Sequence, residues 1–137
     1  MAWAALLALP LAAPAQALVD GEMAVSLTGQ PGDPVRGRQI VLNRQTGLCL
    51  LCHQGPFPEE RFPGTLGPEL SASVAKLSAG RIRAQLVDAR QFNPMTIMPP
   101  YFRTDRLNHV ASQFAGRTLL EAQEIEDVVA FLMTLKK

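Results

Sequence analysis

The sequence predicts an all-α fold, and three observations carry that expectation. The C-terminal segment places Ile125, Val128, Val129, Leu132 and Leu135 on one apolar stripe of helical period. No stretch alternates strand and helix as a βαβ unit does, and residues 54–68 are too rich in proline and glycine for any regular element. Cys49-Leu50-Leu51-Cys52-His53 is a C-x-x-C-H pattern holding both cysteines of the chain, which is how a c-type haem is attached. With both thiols used this way, no disulfide remains to staple the domain, and a porphyrin must supply part of the core. The expectation is about three to five helices packed around one covalently bound haem c.

The N-terminal 17 residues carry no charged side chain, 14 of them are apolar, and they close on Ala15-Gln16-Ala17. This reads as a signal-peptide h-region followed by an A-x-A cleavage site, although the usual basic n-region is missing. It is shorter than the roughly 20 apolar residues a membrane span needs. Export agrees with the haem motif, so the mature chain is expected in the periplasm. Cleavage would leave 120 of the 137 residues, enough for one domain. The expected organisation is a signal peptide over 1–17, an arm over 18–32 and the haem domain over 33–137. The net charge is +1, and no basic block interleaved with aromatics is present, so nucleic-acid binding has no support. No later apolar run approaches membrane length.

Residues 18–32, with Gly29 and Gly32, read as a loosely held lead. Asp33-Pro34 starts the first helix, Asp33 as N-cap and Pro34 at the first helical position, and the helix is expected to run to about Thr46-Gly47. Gly37 inside it costs about 1 kcal/mol against alanine, which points to close approach by another element. A second helix is expected from Ser78 through Ile82, Leu86 and Val87, ending before Asn93-Pro94. Met95 to Tyr101 is expected to be extended, because Pro99 and Pro100 fix it. Thr118-Leu119-Leu120-Glu121 reads as a capping box opening the last helix, with Glu124, Glu126 and Asp127 near its start and Lys136-Lys137 at its end, as the helix dipole favours.

Three other readings of the paired cysteines compete with the haem: a redox dithiol, half of a zinc site, and a structural disulfide. The dithiol wants a βαβ context. Zinc wants four ligands, and the only histidine besides His53 is the isolated His109. In the haem reading, Cys49 and Cys52 form the thioethers and His53 is the proximal iron ligand. Candidates for the second axial position are Met95, Met98, Met133 and His109. Met98 is favoured because Pro99-Pro100 stiffens its loop, 45 residues after His53. Met95 is the rival, Met133 is explained by packing in the last helix, and His109 by an ordinary surface or packing role. Ligation by His53 and Met98 would raise the reduction potential and favour electron transfer over binding of O₂ or peroxide.

Together, Asp33-Pro34, Gly37-Arg38, the C-x-x-C-H motif, Gly64-x-x-Gly67-Pro68-x-Leu70, the methionine loop and the acidic start of the last helix resemble a class I cytochrome c. More narrowly, the run Asn93-Pro94-Met95-Thr96-Ile97-Met98-Pro99-Pro100-Tyr101 and residues 121–132 resemble the SoxX family, the monohaem subunits of SoxXA cytochromes in thiosulfate oxidation. The resemblance covers most of residues 32–137, and Met95 departs from the acidic residue expected between Pro94 and Thr96. It implies that the Pro68 carbonyl accepts the proximal imidazole N–H, that Leu70 packs on the porphyrin, and that Gly37 lets the last helix cross closely against Phe131.

The resemblance also implies a function. The chain would be the electron-accepting subunit of a heterodimer with a SoxA-like cytochrome, an L-cysteine S-thiosulfotransferase that oxidatively joins thiosulfate to a cysteine of the carrier SoxYZ. The sulfur chemistry is attributed to the SoxA haem and its cysteine-derived ligand, so this chain would hold no catalytic residue of its own. Electrons would leave to a soluble cytochrome c. The alternative is a free-standing periplasmic class I cytochrome c serving another respiratory pathway. A haem catalyst such as a peroxidase is a third reading, and it would need an open iron position.

Overall fold

The computed structural model describes residues 17–136. The signal peptide expected over residues 1–17 lies, all but Ala17, outside the described residues. Among the described residues there is no strand, only a single bridge between Val19 and Glu22. The architecture is a small helical shell: α1 (Pro34–Leu42), α2 (Leu70–Val74), α3 (Ala79–Asp88) and α4 (Ala122–Thr134), with single 3₁₀ turns at Cys49–Leu51, Ala89–Gln91 and Ser112–Phe114. No helix among them is long and apolar enough to cross a membrane.

The Asp33 carboxylate caps α1 as expected, accepting the N–H groups of Val35 at 2.8 Å and Arg36 at 3.2 Å. The helix stops at Leu42, a turn earlier than Thr46-Gly47. Asn43 is the reason: its side-chain oxygen accepts the Gln45 and Thr46 N–H groups at 2.8 and 3.0 Å, offering the backbone a local alternative to another helical turn. The short α2, capped by the Glu69 carboxylate on the Ala72 N–H at 2.8 Å, was not expected. Helix α3 starts where expected, with the Ser78 hydroxyl accepting the Arg81 N–H at 3.0 Å. Residues 95–101 form no regular element.

Helix α4 begins at Ala122, not at Thr118. Its N-cap is Glu121, whose N–H donates to the Glu124 carboxylate at 2.8 Å, so the capping box sits three residues further on than Thr118 suggests. Leu120 explains the shift. It is 1 % exposed and its N–H donates to the Tyr101 carbonyl at 3.1 Å, which keeps it tied to the loop and out of the helix.

Helices α1 and α4 cross at Gly37. A Cβ there would overlap the Asp127 carbonyl and lie 2.8 Å from the Phe131 Cβ, so only glycine permits this approach. The core beneath the crossing is built from Val41, Leu50, Leu120, Ile125 and Val128, all essentially inaccessible. Val129 and Leu132 complete the stripe, Leu135 is half-buried, and Met133 packs on the core.

Two acidic residues near the start of α4 do more than suit the helix dipole. Glu126 is buried and takes two hydrogen bonds from the buried Arg83 guanidinium of α3, at 2.7 and 2.8 Å. Asp127 is buried and bound by Arg36 of α1 at 2.8 and 3.0 Å. The first pair also corrects the reading of the arm. Arg83 donates to the Met23 carbonyl at 2.5 Å and Glu126 accepts the Leu27 N–H at 2.8 Å, so residues 23–27 are strapped to the pair and Met23 is buried.

Candidate functional site

The motif is compressed into one tight turn. Leu48 enters it in the left-handed region, φ 60° and ψ −1°, a conformation a leucine adopts only when its surroundings impose it. The Cys49 carbonyl then accepts the N–H of Cys52 at 3.2 Å and of His53 at 2.9 Å. Leu50, fully buried, pins the turn to the core and leaves the thiols and the imidazole on its other side.

A glycine-proline loop laces onto this turn. The Gly64 N–H reaches the Leu50 carbonyl at 2.8 Å, Gly67 reaches Cys52 at 2.8 Å, and Leu70 reaches Gln54 at 2.9 Å. The lacing brings the Pro68 carbonyl to 2.6 Å from His53 Nδ1. A carbonyl only accepts, so Nδ1 carries a proton, which leaves Nε2 as the ring nitrogen available to a metal. Gly67 lies directly against the ring: a Cβ there would fall on its Cε1, Nδ1 and Nε2 atoms.

Cys49, Cys52, His53, Pro68, Leu70 and Met98 all line one cavity of about 590 Å³. Its remaining wall is mostly apolar, from Val41, Val74, Ile82, Leu86, Val128 and Leu132 among others, with Ser73, Gln85, Thr96 and Tyr101 as its polar members, and no Asp, Glu, Lys or Arg among the described residues lines it. Leu51, Leu66 and Ile97 stand exposed at its margin. Met98 enters from the proline-stiffened loop, its N–H held by the Thr96 hydroxyl at 3.2 Å. The other three candidate ligands do not line the cavity: Met95 is 86 % exposed, His109 is on an exposed loop at φ 55°, and Met133 is half-buried against the core.

Tyr101 and Gly67 are site residues that the motif reading did not assign. Tyr101 is buried, lines the cavity and donates its hydroxyl to the Gly47 carbonyl at 2.7 Å. It is the single tyrosine of the chain, set directly behind two prolines, and an amphipathic residue on so stiff a loop was the available signal.

The crystal structure of SoxXA from P. pantotrophus contains a chain similar to this one. The two are 35 % identical, the match covers 88 % of this chain and 94 % of that chain, and the TM-score is 0.80. The chain belongs to the SoxX-like c-type cytochromes. A further match is the c-type cytochrome SorU from Sinorhizobium meliloti, 26 % identical over 74 % of this chain and 88 % of that one, with a TM-score of 0.47. No family model and no curated protein matches the sequence.

The residues of this SoxX-like cytochrome fit a haem c. Two thiols at the C-x-x-C spacing, an imidazole with a free Nε2 and a thioether all face a mostly apolar cavity, and the glycine at position 67 leaves the ring room to lie against the loop. Burial pushes the Cys49 thiol up to about 11, while the nearby Tyr101 hydroxyl works against that shift, so the sulfur enters the cavity as a neutral thiol. Burial, with Cys49 beside it, holds the Tyr101 phenol above its ordinary value, and it stays a hydrogen-bond donor at all physiological pH.

Proposed function

We propose that this chain is the electron-transfer subunit of a periplasmic SoxXA-type complex, with one haem c bound through Cys49 and Cys52 and its iron held by His53 and Met98. The observation that carries this reading is the convergence of both thiols, the Pro68-anchored imidazole and the Met98 thioether on one uncharged cavity. When bound, haem c supplies a one-electron iron couple. The chain's own residues do the rest. Cys49 and Cys52 anchor the group, and the Pro68 carbonyl fixes the imidazole plane and raises its basicity. Leu70 and its apolar neighbours exclude water, and Met98 occupies the position a substrate would otherwise need.

Oxidative coupling of thiosulfate to a carrier thiol releases two electrons. The chain has no cysteine outside the motif, so it has no spare thiol for the sulfur chemistry. That step belongs to a SoxA-like partner, with SoxYZ as the carrier, and this chain passes the electrons singly to a soluble cytochrome c. Similarity to a chain of SoxXA supports the partner assignment.

Co-expression with the SoxA-like chain of the same genome tests the proposal. A stable heterodimer is expected, with a haemochrome spectrum of thioether-linked haem in this subunit, and the mature chain in the periplasmic fraction starting after Ala17. A haem-loaded chain that stays monomeric at micromolar concentration beside a folded SoxA-like protein would instead establish a free-standing carrier.

A further inference from the structure

We propose that Tyr101 is a positioning residue for the second iron ligand: its phenol latches the Met98 loop to the backbone beside Cys49. This deepens the haem reading above and rests on it. The hydroxyl donates to the Gly47 carbonyl at 2.7 Å, joining residues 54 positions apart. Gly47 lies two residues before Cys49, and Tyr101 lies three residues after Met98, so a single bond ties the two sides of the cavity together.

The main chain of Tyr101 is held as well. Its N–H donates to Leu86 of α3 at 3.0 Å, and its carbonyl accepts from Leu120, just ahead of α4, at 3.1 Å. Pro99 and Pro100 separate it from Met98 and have fixed φ, so a shift of Tyr101 is passed on to the thioether and is not absorbed between them.

The acceptor is shared. Cys49 Sγ also donates to the Gly47 carbonyl, at 3.3 Å. A thioether sulfur has no proton to donate, so covalent attachment leaves the phenol as that carbonyl's side-chain donor. The latch is present with the thiols free, and attachment would remove only the competing donor, so the loaded chain would keep it.

The test compares haem-loaded wild type with Tyr101→Phe, which keeps the buried ring and removes only the hydroxyl. One readout is amide hydrogen exchange over residues 96–102. The other is the rate at which cyanide binds the ferric protein, followed together with the long-wavelength charge-transfer band of sulfur-ligated haem. Exchange of this segment and cyanide binding should each accelerate about fivefold to tenfold, the shift expected on losing one buried hydrogen bond, while α1 and α4 exchange as before. Val129→Ala, a core truncation away from the cavity, should lower the unfolding midpoint without speeding cyanide. Unchanged exchange over 96–102 in Tyr101→Phe overturns the proposal, and so does an equal gain in cyanide rate in Val129→Ala. A wild type without the charge-transfer band would refute ligation by Met98, whereas the exchange comparison would still decide whether the phenol holds the loop.

Discussion

His53 Nδ1 lies 2.6 Å from the Pro68 carbonyl, and the two are brought together by a loop that is also tied to the motif by the Gly64 and Gly67 N–H groups, on the Leu50 and Cys52 carbonyls. The imidazole is thus oriented by the same backbone that closes over the thiols. With a haem bound through Cys49 and Cys52, attachment and ligand orientation would depend on one local structure, and a small displacement of this loop would disturb both.

Gly67 is the most sensitive point of that arrangement. In Gly67→Ala the new methyl group would fall on the His53 ring, which has no room to retreat without losing the Pro68 carbonyl. Overpacking of this kind costs about 1–3 kcal/mol. The expected outcome is a haem-attached protein with a lower unfolding midpoint in urea and a lowered reduction potential. A potential equal to wild type would mean that the ring position does not depend on the loop.

Met98 and Met95 make opposite predictions. Met98 lines the cavity, whereas Met95 is 86 % exposed. Met98→Leu keeps the volume and removes the sulfur, so the long-wavelength charge-transfer band should vanish and the potential should fall, since Met/His ligation raises it. Met95→Leu should leave both untouched. The reverse result would assign the ligand to Met95.

These contrasts show what was legible in the sequence. Cys49, Cys52, His53 and the Met98-Pro99-Pro100 loop are local signals, set by bond reach and fixed φ, and the structure places all of them on one cavity. The caps at Asp33 and Ser78 are equally local. What escaped depends on partners distant in the chain. Thr118 and Glu121 are both plausible caps, and the choice falls to Glu121 because Tyr101 holds Leu120 out of the helix. Glu126 and Asp127 look like solvated dipole partners until α3 and α1 bring Arg83 and Arg36 against them. The arm over 18–32 looks loose for the same reason, since its anchors sit about 60 and 99 residues away.

The buried pair of Arg83 and Glu126 should behave as an uncompensated charge when halved. Arg83→Met strands the Glu126 carboxylate, which is 3 % exposed, and leaves the Met23 carbonyl without its donor. Breaking such a pair costs about 3–5 kcal/mol. The double variant Arg83→Met with Glu126→Leu should lose less than the two single losses combined, because neither charge is left alone. Urea unfolding measures both. Exchange of the Leu27 amide should rise in Glu126→Leu, because that N–H donates to Glu126. A single-variant loss below about 1 kcal/mol would mean that the strap does not contribute to stability.

Asp127 gives the fold an acid limit. Burial alone would raise its carboxyl, but the Arg36 guanidinium, the Asp33 N–H at 2.7 Å and the Gln123 amide at 3.2 Å outweigh it and hold the group below the usual carboxylate range. A carboxyl depressed in the folded state contributes stability that is fully present above its unfolded value of about 3.9. That contribution is lost as pH falls through the folded value, when protonation breaks the Arg36 pair. Urea midpoints should therefore be flat from neutrality to about pH 5 and fall below about pH 4. Glu59, Asp88 and Asp105 are depressed in the same direction, so the slope alone does not isolate one residue. Asp127→Asn does. It should be less stable than wild type at pH 7 and converge on it toward pH 3, because only wild type still has this pair to lose. Curves that stay parallel through acid would remove Asp127 as the source.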